Sequence, residues 1–176
     1  MANLPQLRMR LAQLGEYAPE LALPAGYTLR EYQDSDAELL AAMMQRAFPE
    51  MTWTTKQVAE WLVTPPEVEK TFVIEQSGEV VATASCLINF EKFPETGYVH
   101  WVGADPAHSG KKLGLLVTEA ALRAFAQSGC KCAVLETDDF RLPAISVYLR
   151  MGFVPDKWHE SHPERWEKIL AVMNKP

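Results

Sequence analysis

The stretch "DPAHSGKKLGLLVTEAALRAFAQSG", Asp105 to Gly129, decides the fold. It reads as a helix from about Gly110 to Gln127, with Ser109 as N-cap and Gly129 as the left-handed residue that ends it. The chain enters it from "GYVHWVGA" (97–104), a strand stopped by Asp105-Pro106. Strand, tight turn and helix N-terminus is the arrangement that holds phosphate, because unpaired N–H groups and the helix dipole point at the ligand. Adding Lys111 and Lys112 to an end that is already positive costs electrostatic energy unless an anion sits nearby. Gly110 lets backbone approach such an anion closely. There is no Lys-Ser/Thr pair of a P-loop and no G-x-G-x-x-G of a dinucleotide fold. Two solvated lysines on a surface turn stand as the alternative reading.

Working outward, "YTLREY" (27–32) alternates as a strand. Asp34 or Ser35 then caps a helix to about Phe48, carried by Ala37, Leu40, Ala41, Met44 and Ala47 and stopped by Pro49. "TTKQVAEWLVT" (54–64) is a second helix, and "TFVIEQSGEVVATASCLINF" (71–90) is a hairpin turning at Gln76-Ser77-Gly78-Glu79. After the central helix come a buried strand, "KCAVLET" (131–137), and a short helix, "PAISVYLRM" (143–151), begun by Pro143 and followed by Gly152. "FVP" (153–155) suggests one more strand, before "HPERWEKILAVMN" (162–174) closes the chain as a helix. The first segment, "LPQLRMRLAQLGEYAPELALPAG" (4–26), is punctuated by Pro5, Pro19 and Pro24. It reads as an N-terminal arm, residues 1–26, with at most a short helix over about 6–14, laid over a domain of residues 27–176. The order predicts one α/β domain, a mixed central sheet flanked by helices.

A chain of 176 residues that is 48% hydrophobic builds one well-buried core. A net charge of −6 argues against nucleic acid or an anionic membrane as partner, since both need a basic face. No apolar run approaches the roughly 20 residues that span a bilayer, so a cytoplasmic location is expected. Cys86, Cys130 and Cys132 fit neither a disulfide framework nor a zinc site and read as small buried side chains in a reducing compartment. His159 and His162 lie near Glu160, but the spacing lacks further ligands and reads as a solvated loop; no metal is expected.

"VGADPAHSGKKLGLLV" (102–117) resembles the acetyl-coenzyme A signature of the GNAT superfamily of N-acyltransferases, a hydrophobic-x-Pro turn followed by Q/R-x-x-G-x-G/A. "RLPAISVYLRMGF" (141–153) resembles that superfamily's second signature, N-x-x-A-hydrophobic-x-x-Y-x-x-x-G-F, through Ala144, Ile145, Tyr148, Gly152 and Phe153. The resemblance covers roughly residues 27–155. Ser109 stands at its Q/R position, Lys112 at its first glycine and Arg141 at its asparagine, leaving Gly114 of the first pattern's glycines. A lysine at 112 requires ordinary helical backbone there, with the side chain outward or toward phosphate.

The resemblance implies a transferase that moves an acyl group, acetyl in the simplest case, from acetyl-CoA to a primary amine of a small molecule or peptide. The anion is then the pyrophosphate of coenzyme A, held by Ser109, Gly110, Lys111, Lys112, Leu113 and Gly114. Main-chain N–H groups of the preceding strand, around Val102, Gly103 and Ala104, receive the acyl carbonyl. Tyr148, which also touches the cofactor, protonates the departing sulfur. His100 is the candidate base, with an ordinary pKa of about 6.5. Glu136 and Asp138 are rival bases, or simply attract a cationic amine. Tyr98 shares a strand face with His100 and lines the acceptor site. Trp53, Trp61, Phe90, Phe93 and Trp101 fall in the regions of the acceptor wall; most read as core, with a few around 48–53 and 90–95 shaping the pocket and "FPEMTWTT" (48–55) the first place to look. The resemblance leaves open a homodimer, and a silent acyl-CoA-binding sensor of the same fold.

Overall fold

Ser77 and Gly78 both take left-handed backbone, with φ of 53° and 83°, the geometry that joins two twisted strands through a two-residue turn. They connect β3 (Val68–Gln76) to β4 (Glu79–Ile88), as the sequence predicts. This hairpin anchors a seven-stranded sheet seen in a computed structural model that describes residues 4–14 and 22–173. With β1 (Leu7–Leu11), β2 (Tyr27–Glu31), β5 (Thr96–Ala104), β6 (Cys132–Thr137) and β7 (Val154–Asp156), the strand order is β2-β3-β4-β5-β6-β1-β7. Neighbours are antiparallel except β5 and β6, which run parallel. A parallel pair needs a crossover, and α3 (Leu113–Gln127) supplies it.

Both faces of the sheet are covered, which explains the near-continuous apolar runs of β3 and β4. Alternate residues serve two cores. Ile74 and Val81 join α3, α4 (Leu142–Arg150) and α5 (His162–Met173) on one side. Val73 and Val80 face α1 (Ala37–Ala47) and the helix after it on the other. That helix, α2 (Thr55–Gln57), widens into a π-helix over Val58–Val63. One 3₁₀ turn, Asp34–Asp36, precedes α1 in place of the expected single cap, with Asp36 accepting from the Gln33 N–H and paired to Arg30.

The N-terminal segment departs from expectation. The helix predicted over about 6–14 is the strand β1, inserted between β6 and β7. Leu7, Leu11 and Leu14 suit a helical stripe, yet Leu7 and Met9 alternate with Arg8 and Arg10 equally well. Only in the strand does Met9 join Leu7 in full burial, and only there are the β6 main-chain groups on the edge away from β5 paired. Part of the segment, residues 15–21, lies outside the described residues.

All three cysteines are buried and free, as read from the sequence. His162 is a correction: it is fully buried at the start of α5 rather than in a solvated loop. Its Nδ1 donates to the Asp156 carbonyl and its ring packs on Trp158 and His159. Among the described residues no helix is long and apolar enough to cross a membrane.

The crossover is tight at Gly97, where an added Cβ would run into the Phe125 ring of α3 from a distance no real pair of atoms adopts. Gly97→Ala is expected to destabilise the fold by about 1–3 kcal/mol through overpacking. Urea unfolding of the variant checks this, with a lower midpoint and unchanged slope as the expected outcome.

Candidate active site

In the ladder between β4 and β5, Thr83 faces Gly103 and Ser85 faces His100, so Trp101 and Val102 together oppose the single residue Ala84. This is a β-bulge, and it bends the strand that carries it. Trp101 takes φ of 48°, costly for a bulky residue. It is held there by aromatic neighbours: Trp53 at 4.8 Å, Phe48 at 5.6 Å and Trp61 stacked at 5.9 Å. Parallel pairing of β5 with β6 stops at Val99 and Leu135, directly before the bulge. Beyond it β5 stays with β4 and β6 stays with β1, so the two strands part and leave an opening in mid-sheet.

Two cavities fill that opening. The larger, about 730 Å³, is walled by Tyr98, Val99, His100, Trp101 and Val102 on one side and by Leu135, Glu136, Thr137 and Asp138 on the other. The smaller, about 350 Å³, runs from Val102, Gly103 and Ala104 through Ser109 and Gly110 to Lys112, Leu113 and Gly114. Tyr148, Ala144, Pro143, Arg141, Phe48 and Val102 line both, so they form the junction. Tyr98, His100, Glu136, Asp138 and Tyr148 are thus brought together with the candidate coenzyme A residues Val102, Gly103, Ala104, Ser109, Gly110, Lys112, Leu113 and Gly114. Lys111 is at neither wall: its ammonium lies over the Tyr27 ring at 5.8 Å.

The turn before α3 corrects two expectations. The helix begins at Leu113, three residues after the predicted start, and Ser109 closes a 3₁₀ turn (Pro106–His108) instead of capping α3. Asp105 caps that 3₁₀ turn through the Ala107 N–H at 2.9 Å. Lys112 is not ordinary helix: it is the N-cap, with φ of 58°, and its backbone accepts the first helical bond, from the Leu116 N–H. The left-handed region is where glycine is favoured, which explains why the glycine pattern has a position here. Gly110 is left-handed too, at 81°, and a Cβ at Gly110 or Gly114 would meet nothing within 4 Å. The first N–H groups of α3 therefore face open space beside Lys112. Asp105 fastens this turn to α1 through Arg46, at 2.7 Å. Burial opposes its ionisation, but the Ala107 N–H and Arg46 hold its carboxyl below the ordinary range.

Tyr148 is buried on α4, and loss of solvent pushes its phenol up to about 12, opposed by the charge of Arg141. Burial pushes His100 down to about 4, so its imidazole is neutral at pH 7, although a hydrogen bond with the Trp61 main chain works the other way. Burial and then the Glu136 charge raise Tyr98, whose hydroxyl donates to Glu136 Oε2 at 2.8 Å. Asp138 accepts from Gln6 Nε2 at 3.0 Å and from Arg141 Nε at 3.1 Å.

Gln6, Glu50, Met51, Phe48, Phe140 and Arg141 line the larger cavity without having been assigned to a site from sequence. The run "FPEMTWTT" did point to Phe48, Glu50 and Met51. Gln6 carried no signal, because it precedes a strand that reads as a helix. Of the aromatics singled out from the sequence, Trp101 lines the larger cavity, whereas Trp53 and Trp61 pack behind it. Phe90 and Phe93 are exposed on the connection from β4 to β5, at the end of β5 away from the bulge.

Residues 37–153 match the family model for the acetyltransferase (GNAT) family. The mycothiol acetyltransferase of Nocardia farcinica is 31% identical over 163 residues, covering 87% of this chain and 53% of that protein. The mycothiol acetyltransferase of Streptomyces bingchenggensis is 33% identical over 159 residues, with 84% and 51% covered. The chain spans about half the length of these curated relatives. Among solved structures, a GCN5-related N-acetyltransferase from Sphaerobacter thermophilus has a TM-score of 0.67 at 18% identity, covering 86% of this chain and 49% of that one. The ribosomal-protein-S18-alanine N-acetyltransferase of Escherichia coli has a TM-score of 0.62 at 20% identity, covering 73% and 77%. At these identities the two structures speak for the fold.

Lys112 gives a direct test of the turn. Replacing it by glycine removes a side chain from the left-handed region and is expected to stabilise the folded protein by about 1 kcal/mol. Chemical denaturation reads this as a higher midpoint; a fall would mean that the ammonium makes a compensating contact.

Proposed function

The chain belongs to the GNAT family of acetyltransferases, and from that premise we propose that it transfers an acyl group, acetyl in the simplest case, from coenzyme A to a primary amine of a small molecule or peptide. The observation that carries the reading is the junction: a phosphate-suited turn and an acidic, tyrosine-lined cavity meet at Val102 and Tyr148. The residues suit the donor. Open space at Gly110 and Gly114, the N–H groups at the start of α3 and the Lys112 ammonium accommodate a diphosphate. Ser109 and Leu113 complete that wall, and Lys111, above Tyr27, adds positive charge from outside it.

Main-chain N–H groups freed from the ladder at the bulge, with Gly103 and Ala104 beyond them, donate to the thioester oxygen as negative charge develops on it. The amine enters from the larger cavity, where Tyr98, Glu136 and Asp138 line its approach. Its nitrogen attacks the carbonyl carbon directly. His100, neutral at pH 7, takes the proton from the amine itself or through water. Tyr148, protonated at any ordinary pH, gives its proton to the leaving sulfur. Mycothiol-related amines stand first in an acceptor panel, because curated relatives bear that name. The setting we propose is the cytoplasm, where Cys86, Cys130 and Cys132 stay reduced.

Acetyl-CoA is expected to raise the melting temperature by binding the folded form. Gly114→Val fills the open space of the smaller cavity without touching the fold, so its own melting temperature holds while the shift disappears. An undiminished shift in that variant would move the donor site elsewhere.

Tyr148→Phe keeps the buried ring and removes the proton, so turnover is expected to fall by about 10²–10⁴-fold with cofactor affinity unchanged. Between pH 5 and 10 neither His100, at about 4, nor Tyr148, at about 12, titrates. The rate should therefore rise with pH until the acceptor amine is neutral, and the break should move with the amine's own pKa. A break fixed near pH 7 for every acceptor would assign the base to another group.

A further inference from the structure

Arg141 stands where the family pattern has asparagine, and its surroundings give it work there. It is the N-cap of α4. Its guanidinium lies over the Phe48 ring at 4.5 Å and the Phe140 ring at 5.0 Å. Nε donates to Asp138 and Nη2 to Glu50, at 3.1 and 2.5 Å. Two nitrogens of a planar fork are thus held by two carboxylates and its faces by two rings, a level of restraint that lysine in the same place would lack. The side chain lines both cavities at their junction, as Tyr148 does.

Arg141 precedes the first turn of α4 and Tyr148 lies seven residues on, in the helix itself. Helical side chains lean toward the N-terminus, so the Tyr148 ring covers the turn before its own Cα. Ala144, four residues back, has only a methyl group to put in that space. Arg141, Ala144 and Tyr148 thus lie together at the junction of the two cavities.

We propose that Arg141 is a positioning residue for the acid step: its fixed positive charge stabilises the tyrosinate that remains when Tyr148 gives up its proton. The inference rests on Tyr148 as the acid. In that step the amine lone pair forms the new C–N bond and the C–S bond breaks. The C–S electron pair stays on sulfur, which takes the Tyr148 proton. The tyrosinate regains a proton from water before the next turnover, and the ammonium proton leaves through His100 or water. Arg141 gains and loses nothing; it lowers the energy of the anion between the two transfers. The Arg141 charge also opposes the effect of burial on the phenol, consistent with that arrangement. Glu50 and Asp138 keep the guanidinium in place and tie the segment after α1 to the start of α4.

The test is a double-mutant cycle on kcat with saturating acetyl-CoA and an amine acceptor, using Arg141→Gln, Tyr148→Phe and the pair. Arg141→Gln is expected to lower kcat by about 10- to 100-fold, with the KM for acetyl-CoA unchanged, as for a charge felt only in the transition state. In the Tyr148→Phe background the same substitution should cost less than about twofold, because no tyrosinate forms. Arg141→Lys should recover part of the loss. If Arg141→Gln lowers kcat equally in both backgrounds, or acts only by raising KM for the amine, the inference is overturned and Tyr148 remains the acid. If Tyr148→Phe alone leaves kcat unchanged with chemistry limiting, the acid assignment falls and the role of Arg141 falls with it.

Discussion

Trp101 sits in left-handed backbone in the middle of a strand, a conformation that a large side chain holds only against resistance. The resistance is met by Phe48, Trp53 and Trp61, which pack around the indole from α1, from the segment after it and from the π-helix. The helices on that face are thus coupled to a bulge in β5, and the bulge decides where β5 and β6 separate. The opening, the freed main-chain groups and the meeting of the two cavities all follow from that one irregularity. A regular ladder would continue the β5–β6 pairing past Val99 and close the sheet.

Charge then fixes the rims of the opening. Asp105 is buried and ties the phosphate-suited turn to Arg46 of α1, so the turn cannot drift from the helix that braces the bulge. Across the gap, Arg141 links Glu50 to Asp138, and Asp138 also accepts from Gln6. Isolated surface pairs of this kind contribute little, but here each joins elements far apart in sequence around one cavity. Their contribution is geometric: they hold the walls at a set distance.

Burial sets the chemistry of the two candidate proton carriers in opposite directions. The charged form is disfavoured in both, so the phenol of Tyr148 keeps its proton and the imidazole of His100 stays free of one. An acid that remains loaded and a base that remains empty at pH 7 are what attack by a neutral amine on a thioester requires. The same low-polarity surroundings make the fixed charge of Arg141 more effective than it would be in water.

The helix and strand order from Tyr27 onward, the Ser77-Gly78 turn and the tyrosine of α4 were legible in the sequence. These rest on local rules: periodicity, turn residues and signature spacing, each read within about twenty residues. Tertiary structure decided the rest. Residues 7–11 suit two periods equally, and an unpaired edge on β6 makes them a strand, which brings Gln6 to the wall of the larger cavity. Lys112 is left-handed because the turn must close onto β5 and α1, whatever side chain occupies the position. His162 is buried where the turn between β7 and α5 folds its ring against Trp158 and His159 and its Nδ1 onto the Asp156 carbonyl. Arg141 acquires its place only when Phe48 and Glu50, about ninety residues earlier, arrive beside it. Contacts between residues so far apart along the chain leave no periodic trace, because they depend on how elements pack and not on how each one forms.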